Sequence, residues 1–258
     1  MPAQLRVEAA RLGVRVLTIS HPEKKGALNH ELLVALNVAL DAALGEGVRA
    51  LLIRGEAGAF SAGYDLSAIE PATDPEALPD TFLGQVLSKL QHLLIPTVAV
   101  VDGPAFGAGC ELACACDFRV GDAAARFCMP PARLGIVYSL DGLARVARLV
   151  GLQRARRMFL TADRIHAPEA HAWGLLDLVA EEGKALAQAQ ELAERLADLA
   201  PLAIAGMKES LGVLEAPVAT PGQRQRLEAL RRAAFTSRDA AEGITAFLER
   251  RAAKFEGR

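Results

Sequence analysis

Aromatic residues are scarce, 5% of the chain, with one Trp and two Tyr. Each tyrosine therefore calls for a reason. Net charge is small too: Lys+Arg 29 against Asp+Glu 31 leaves a formal -2, which provides no overall pull toward nucleic acid or an anionic membrane. No apolar run reaches the ~20 residues of a membrane-spanning helix, and the opening MPAQLRVEAARLG lacks the apolar stretch of a signal peptide. The four cysteines, Cys110, Cys114, Cys116 and Cys128, form no CxxC pair and have no histidine among them at zinc-ligand spacing. They read as small buried thiols of a cytosolic protein rather than a metal site. The five histidines are scattered, and no Ser–His–Asp arrangement can be assigned.

What is present suits a globular enzyme. Apolar residues are 52% and charged residues 23% of 258, enough for one large domain or a core with an appendage. Residues 4–9 and 13–19 predict two short strands joined at Arg11-Leu12-Gly13. Asn29 is a suitable N-cap for the amphipathic run 30–44. ALLIRG (50–55) and TVAVVDG (97–103) are continuous rather than alternating apolar runs, the pattern of buried parallel strands. A Pro-rich segment (71–79), a helix near 80–93, a small-residue helix at 108–115 and a strand near 117–121 complete an α/β pattern. Beyond about 140 the chain reads as helical: 140–149, 151–160, 167–172 and 183–198. Ala200-Pro201 is the best boundary. It separates a core, 1–199, from a helical region, 200–258, with helices at 201–214, 222–236 and 239–252 and a linker at 216–222.

Two glycine-containing segments could carry chemistry. AFSAGYDL (59–66) follows a strand closely, and Gly63 lets the backbone approach a ligand. GPAFGAGCELACACD (103–117) sets Gly107-Ala108-Gly109 between a strand and a helix, where free N–H groups and the dipole favour an anion. It lacks the Walker lysine and the acidic residue of a dinucleotide fold. The N–H groups near 64 and 108 could together form an oxyanion hole. Glu111, one turn into this apolar helix, must be paired or functional, since an unpaired buried charge is costly. The cationic group Arg145, Arg148, Arg154, Arg156 and Arg157 spreads over two helices without interleaved aromatics and reads as a solvated or intersubunit face.

HPEKKGALN, FSAGYDL, GPAFGAGCELACACD, RLGIVYSLDG, FLTADRIHAPEAHAWGLLDLV (159–179) and EGITAFLERRAAKF together resemble the crotonase (enoyl-CoA hydratase/isomerase) family over nearly the whole chain. The resemblance implies a crotonase-like spiral of ββα units with a helical C-terminal oligomerisation region, forming homotrimers or homohexamers. It implies acyl-CoA substrates, with coenzyme A as part of the substrate and no separate cofactor or metal. The thioester carbonyl would be held by the backbone N–H groups of Tyr64 and Ala108, and adenine and pantetheine contacts would map near Lys24, Ala27, Ala62 and Leu66.

The family's hydratases carry two catalytic glutamates. Glu111 is similar to the first, but the place of the second holds Pro131, which has no titratable group. Ser139 stands where other members have an aspartate. The methylmalonyl-CoA decarboxylase branch fits better: it keeps the glutamate and has a tyrosine at the place of Tyr138, although it can carry His where this chain has Tyr64. The runs 200–217 and 231–251 resemble that branch as well. The expectation is a lyase that decarboxylates methylmalonyl-CoA to propionyl-CoA, with Tyr64, Ala108, Glu111 and Tyr138 as its catalytic set. The rivals are an enoyl-CoA hydratase/isomerase recruiting another acid such as Asp141, and a non-catalytic acyl-CoA- or RNA-binding member.

Overall fold

The computed structural model describes residues 3–56, 58–68, 78, 80–214 and 221–254. Strands β1 (Gln4–Ala9) and β2 (Val14–Ser20) come first, followed by α1 (His30–Gly45), β3 (Ala50–Gly55), α2 (Thr81–Gln91) and β4 (Thr97–Val101). Next are β5 (Pro104–Phe106), α3 (Ala108–Ala115), β6 (Phe118–Gly121), β7 (Arg126–Cys128) and the short α4 (Pro131–Leu134). Then come α5 (Leu140–Val150), α6 (Leu152–Thr161), β8 (Ile165–His166), α7 (Ala167–Trp173) and β9 (Leu178–Val179). Helices α8 (Ala185–Asp198), α9 (Pro201–Leu214), α10 (Pro221–Phe235) and α11 (Arg238–Leu248) follow. The Pro-rich segment at 71–79 lies almost entirely outside the described residues, as do 215–220 of the expected linker, and α10 begins at Pro221.

The main sheet has the order β1-β2-β3-β4-β6-β9, antiparallel between β1 and β2 and parallel thereafter. A smaller sheet, β5-β7-β8, stands beside it. Because strand side chains alternate between faces, β3 divides its apolar residues between two cores. Leu51 and Ile53 join Leu36 and Leu40 of α1 and Val86 and Leu90 of α2 on one side. Ala50 and Leu52 meet Ala185, Ala189, Ala193 and Ala197 of α8 on the other. The four-residue spacing of those alanines makes a single smooth stripe, which lets α8 lie close against the sheet. Asn29 caps α1 by accepting a hydrogen bond from the Leu32 N–H at 3.0 Å, as its sequence position predicts.

The C-terminal helices are tied to the core by polar contacts. Lys208 of α9 donates to the Ile95 carbonyl at 2.9 Å and to Asp117, whose same carboxylate oxygen accepts from Thr97. On α9, Leu202, Met207 and Leu211 are exposed, and Met207 and Leu211 line a groove with Cys114 and Phe118 of the core. Among the described residues, no helix is long and apolar enough to cross a membrane.

Candidate active site

The site grows out of two chain reversals held side by side. Ser61 is fully buried; its N–H donates to the Pro104 carbonyl and its carbonyl accepts from the Phe106 N–H, so loop 61–65 runs along β5. Its hydroxyl donates to the Gly26 carbonyl at 2.7 Å and accepts from the Gly63 N–H at 3.2 Å. On the other edge, Leu28 donates to the Gly63 carbonyl and accepts from the Asp65 N–H. In this parallel bridge Tyr64 lies between the two bonded residues. Its own N–H therefore points away from Leu28, to the edge turned toward β5 and α3.

Gly63 has φ +105°, and a Cβ there would lie 2.7 Å from the Phe106 carbonyl oxygen and 3.5 Å from the Ala108 nitrogen. Only glycine permits both that conformation and that approach. Gly107, at φ +51° and ψ -120°, turns β5 into α3 and leaves Ala108 as the first helical residue. The first N–H groups of a helix have no intrahelical partner, and they sit at its positive end. Tyr64 and Ala108 thus bring two backbone donors to one place, suited to an oxygen that gains negative charge.

They open onto a cavity of about 620 Å³, the size class of small-molecule sites. Of the residues singled out in the sequence, Ala62, Gly63, Tyr64, Leu66, Gly107, Ala108, Cys128 and Tyr138 line it. Lys24, Ala27 and Glu111 are not among its lining residues. Lys24 instead donates to Asp65 at 2.7 Å and to Ser67 at 2.6 Å, and the Ala27 carbonyl lies 3.0 Å from His21 Nδ1. Three arginines, Arg133, Arg164 and Arg251, also line the cavity, with Arg164 stacked over Phe106 at 5.6 Å. Sequence reasoning gave these no role, although Arg133, Arg164 and Arg251 fall within motifs that carry the family resemblance; Asp80 lies in none of them.

Tyr138 follows α4 and lies edge-on to Phe159, ring centroids 5.9 Å apart. Its hydroxyl oxygen is 3.0 Å from the point a Gly107 Cβ would occupy, which places the phenol over the entry to α3. Burial, reinforced by the negative charge of Glu111, raises this phenol well above its ordinary range. Tyr138 therefore acts as a neutral hydroxyl, able to donate a hydrogen bond. The Tyr64 phenol is raised as well, by burial first and then by Asp80 and Asp65.

Glu111 lies behind this surface. It is 4% exposed and accepts from Arg145 Nη1 at 3.2 Å, while Arg145 also donates through Nε to Gln91 at 3.1 Å. The solvated-face expectation for Arg145 is thus corrected: it is buried, while Arg148, Arg154, Arg156 and Arg157 are exposed. The signal was in the spacing, since 142, 145, 146 and 150 form the buried face of α5. Gly142 on that face makes room for the pair, because a Cβ there would meet Glu111 Oε2 at 2.7 Å. Pro131 opens α4 as a buried residue, and Ser139 N-caps α5 by accepting from the Gly142 N–H at 3.1 Å. Asp141 is exposed and does not line the cavity.

The sequence matches the family model "Enoyl-CoA hydratase/isomerase" over residues 9–258. The chain belongs to the enoyl-CoA hydratase/isomerase family. It is 36% identical over 246 residues to the 2,3-dehydroadipyl-CoA hydratase of Escherichia coli (strain K12), covering 95% of this chain and 96% of that protein. It is 31% identical over 248 residues to the methylmalonyl-CoA decarboxylase of the same organism, covering 95% of each. A solved methylmalonyl-CoA decarboxylase in complex with 2-nitronate-propionyl-CoA superposes with a TM-score of 0.91 at 29% identity, covering 98% of both chains. Both the crotonase-type α/β fold and the family are thereby shown, and acyl-CoA substrates fit the family. Its members include hydratases and decarboxylases alike.

Proposed function

We propose that this family member decarboxylates a short 2-carboxyacyl-CoA, converting methylmalonyl-CoA to propionyl-CoA. The observation that carries the reading is the acid content of the cavity. Pro131 stands where the hydratases' second glutamate is expected, Glu111 is engaged by Arg145 outside the lining, and a neutral phenol, Tyr138, covers the helix entry.

Decarboxylation needs no base. It needs the carboxylate held perpendicular to the thioester plane, so that the breaking C–C bond overlaps the carbonyl π-system. It then needs stabilisation of the enolate oxygen. The N–H groups of Tyr64 and Ala108, with the α3 dipole behind them, supply the second requirement, and each such donor is worth ~10²–10³ in rate. Tyr138 donates its O–H to the departing carboxylate and fixes its orientation, and Glu111 positions Tyr138. The apolar wall favours a charged carboxylate becoming neutral CO₂. Coenzyme A enters as part of the substrate, with Ala62 and Leu66 along the pantetheine and Lys24 and Ala27 toward the adenine. The exposed Leu202, Met207 and Leu211 of α9 are where homotrimers or homohexamers would form, in a cytoplasmic enzyme.

The 36% identity to a hydratase favours a second reading, an enoyl-CoA hydratase/isomerase with a non-standard acid. Asp141 is poorly placed for that role, being exposed and outside the cavity. Asp80 is the one carboxylic acid among the described lining residues and would have to serve. The Tyr138→Phe variant tests the decarboxylase reading. CO₂ release from methylmalonyl-CoA slows strongly while KM changes little, and unchanged turnover removes Tyr138 from the mechanism.

A further inference from the structure

Loss of CO₂ leaves a thioester enolate whose C2 carbon must still take a proton. Besides the arginines, which keep their protons, the polar side chains among the described lining residues are Tyr138, Cys128, Asp80 and Tyr64. Tyr138 is committed to the departing carboxylate, over the Gly107 turn. Cys128 is 5% exposed, and its Sγ–H is directed to the Ala162 carbonyl at 3.4 Å. Tyr64 brings two groups to the cavity. Its main-chain N–H faces the place of the enolate oxygen, and its partly exposed phenol lines the same cavity as Asp80.

We propose that the Tyr64 phenol is the acid that delivers the proton to C2, so that one residue holds the enolate oxygen through its backbone and quenches the carbanion through its side chain. This rests on the thioester-enolate reading. In the step, the enolate C=C electron pair takes the phenolic proton and forms the C2–H bond, and the C–O⁻ closes to the thioester carbonyl. The O–H bonding pair stays on the phenolate, which then recovers a proton from water. An enolate carbon is a far stronger base than a phenolate, so transfer runs downhill even though burial and Asp80 raise the phenol. Nearby Asp80 destabilises a lasting phenolate and so favours that return of the proton.

The test is the face on which C2 is labelled in D₂O. Wild-type enzyme converts methylmalonyl-CoA to one enantiomer of 2-deuteriopropionyl-CoA in excess. Tyr64→Phe keeps the backbone donor and loses the phenol. It yields a nearly racemic product, and CO₂ release falls by much less than the ~10²–10³ expected for losing an oxyanion donor. Tyr64→His, which restores a proton-bearing side chain, recovers the one-sided label. Retention of the wild-type excess in Tyr64→Phe would overturn the assignment, as would a racemic wild-type product. If methylmalonyl-CoA is left intact and crotonyl-CoA is hydrated instead, the decarboxylase reading fails by itself. Hydration in D₂O also labels C2, so the same comparison on 3-hydroxybutyryl-CoA still decides the role of Tyr64.

Discussion

Replacing Arg145 with Met removes a guanidinium from a carboxylate that has almost no access to water. Glu111 and Arg145 side chains are 5% and 3% exposed and meet at 3.2 Å. Breaking a buried pair from one side costs about 3–5 kcal/mol, because the remaining charge loses its partner and gains no solvent. At roughly 2–4 °C per kcal/mol for a chain of this size, the melting temperature falls by about 6–20 °C. The double variant Glu111→Gln/Arg145→Met removes both charges, and its melting temperature lies above that of Arg145→Met alone. Differential scanning calorimetry on the wild type, both single variants and the double variant reads the coupling directly. A drop below about 2 °C for Arg145→Met, smaller than any buried pair of this kind should give, refutes the reasoning. So does a double variant whose loss is the sum of the two singles.

Three further outcomes follow from the geometry. Gly142→Ala puts a Cβ 2.7 Å from Glu111 Oε2, so the glutamate must move; stability falls by about 1–3 kcal/mol, and kcat drops as Tyr138 loses its support. The pH profile of kcat shows no alkaline limb from Tyr138 through pH 10, because a raised phenol keeps its proton there; a descending limb below pH 10 that Tyr138→Phe abolishes would count against its burial. Cys116, pushed up to about 12 by burial, is nearly all thiol at pH 8 and stays unmodified by iodoacetamide until the protein is unfolded, as peptide mass mapping will show.

The buried strands are legible in the sequence because β3 and β4 are continuous apolar runs, and α1 because Asn29 announces it. Strands β5, β7 and β8 are three, three and two residues long. They are too short for any periodic signal, and their pairing depends on tertiary contact alone. The same holds within the site. Gly63 and Gly107 mark the two donor loops in advance, since positive φ and close backbone approach both require glycine. Tyr138 has no local mark, and it could be singled out only through the family resemblance. Arg145 was hidden by its neighbours: five arginines in a row of helices suggest a wet surface, and only the helical phase of α5 tells one of them apart. Asp80 and the cavity arginines come together from four separate stretches of chain, which no spacing rule connects.

The most direct test of the decarboxylase account is a paired incubation of the purified enzyme with methylmalonyl-CoA and with crotonyl-CoA, products read by mass. The account predicts loss of CO₂ from the first, giving propionyl-CoA, and no water added to the second. Hydration of crotonyl-CoA with methylmalonyl-CoA left intact would contradict it, and would mean that another acid replaces the glutamate whose place Pro131 holds.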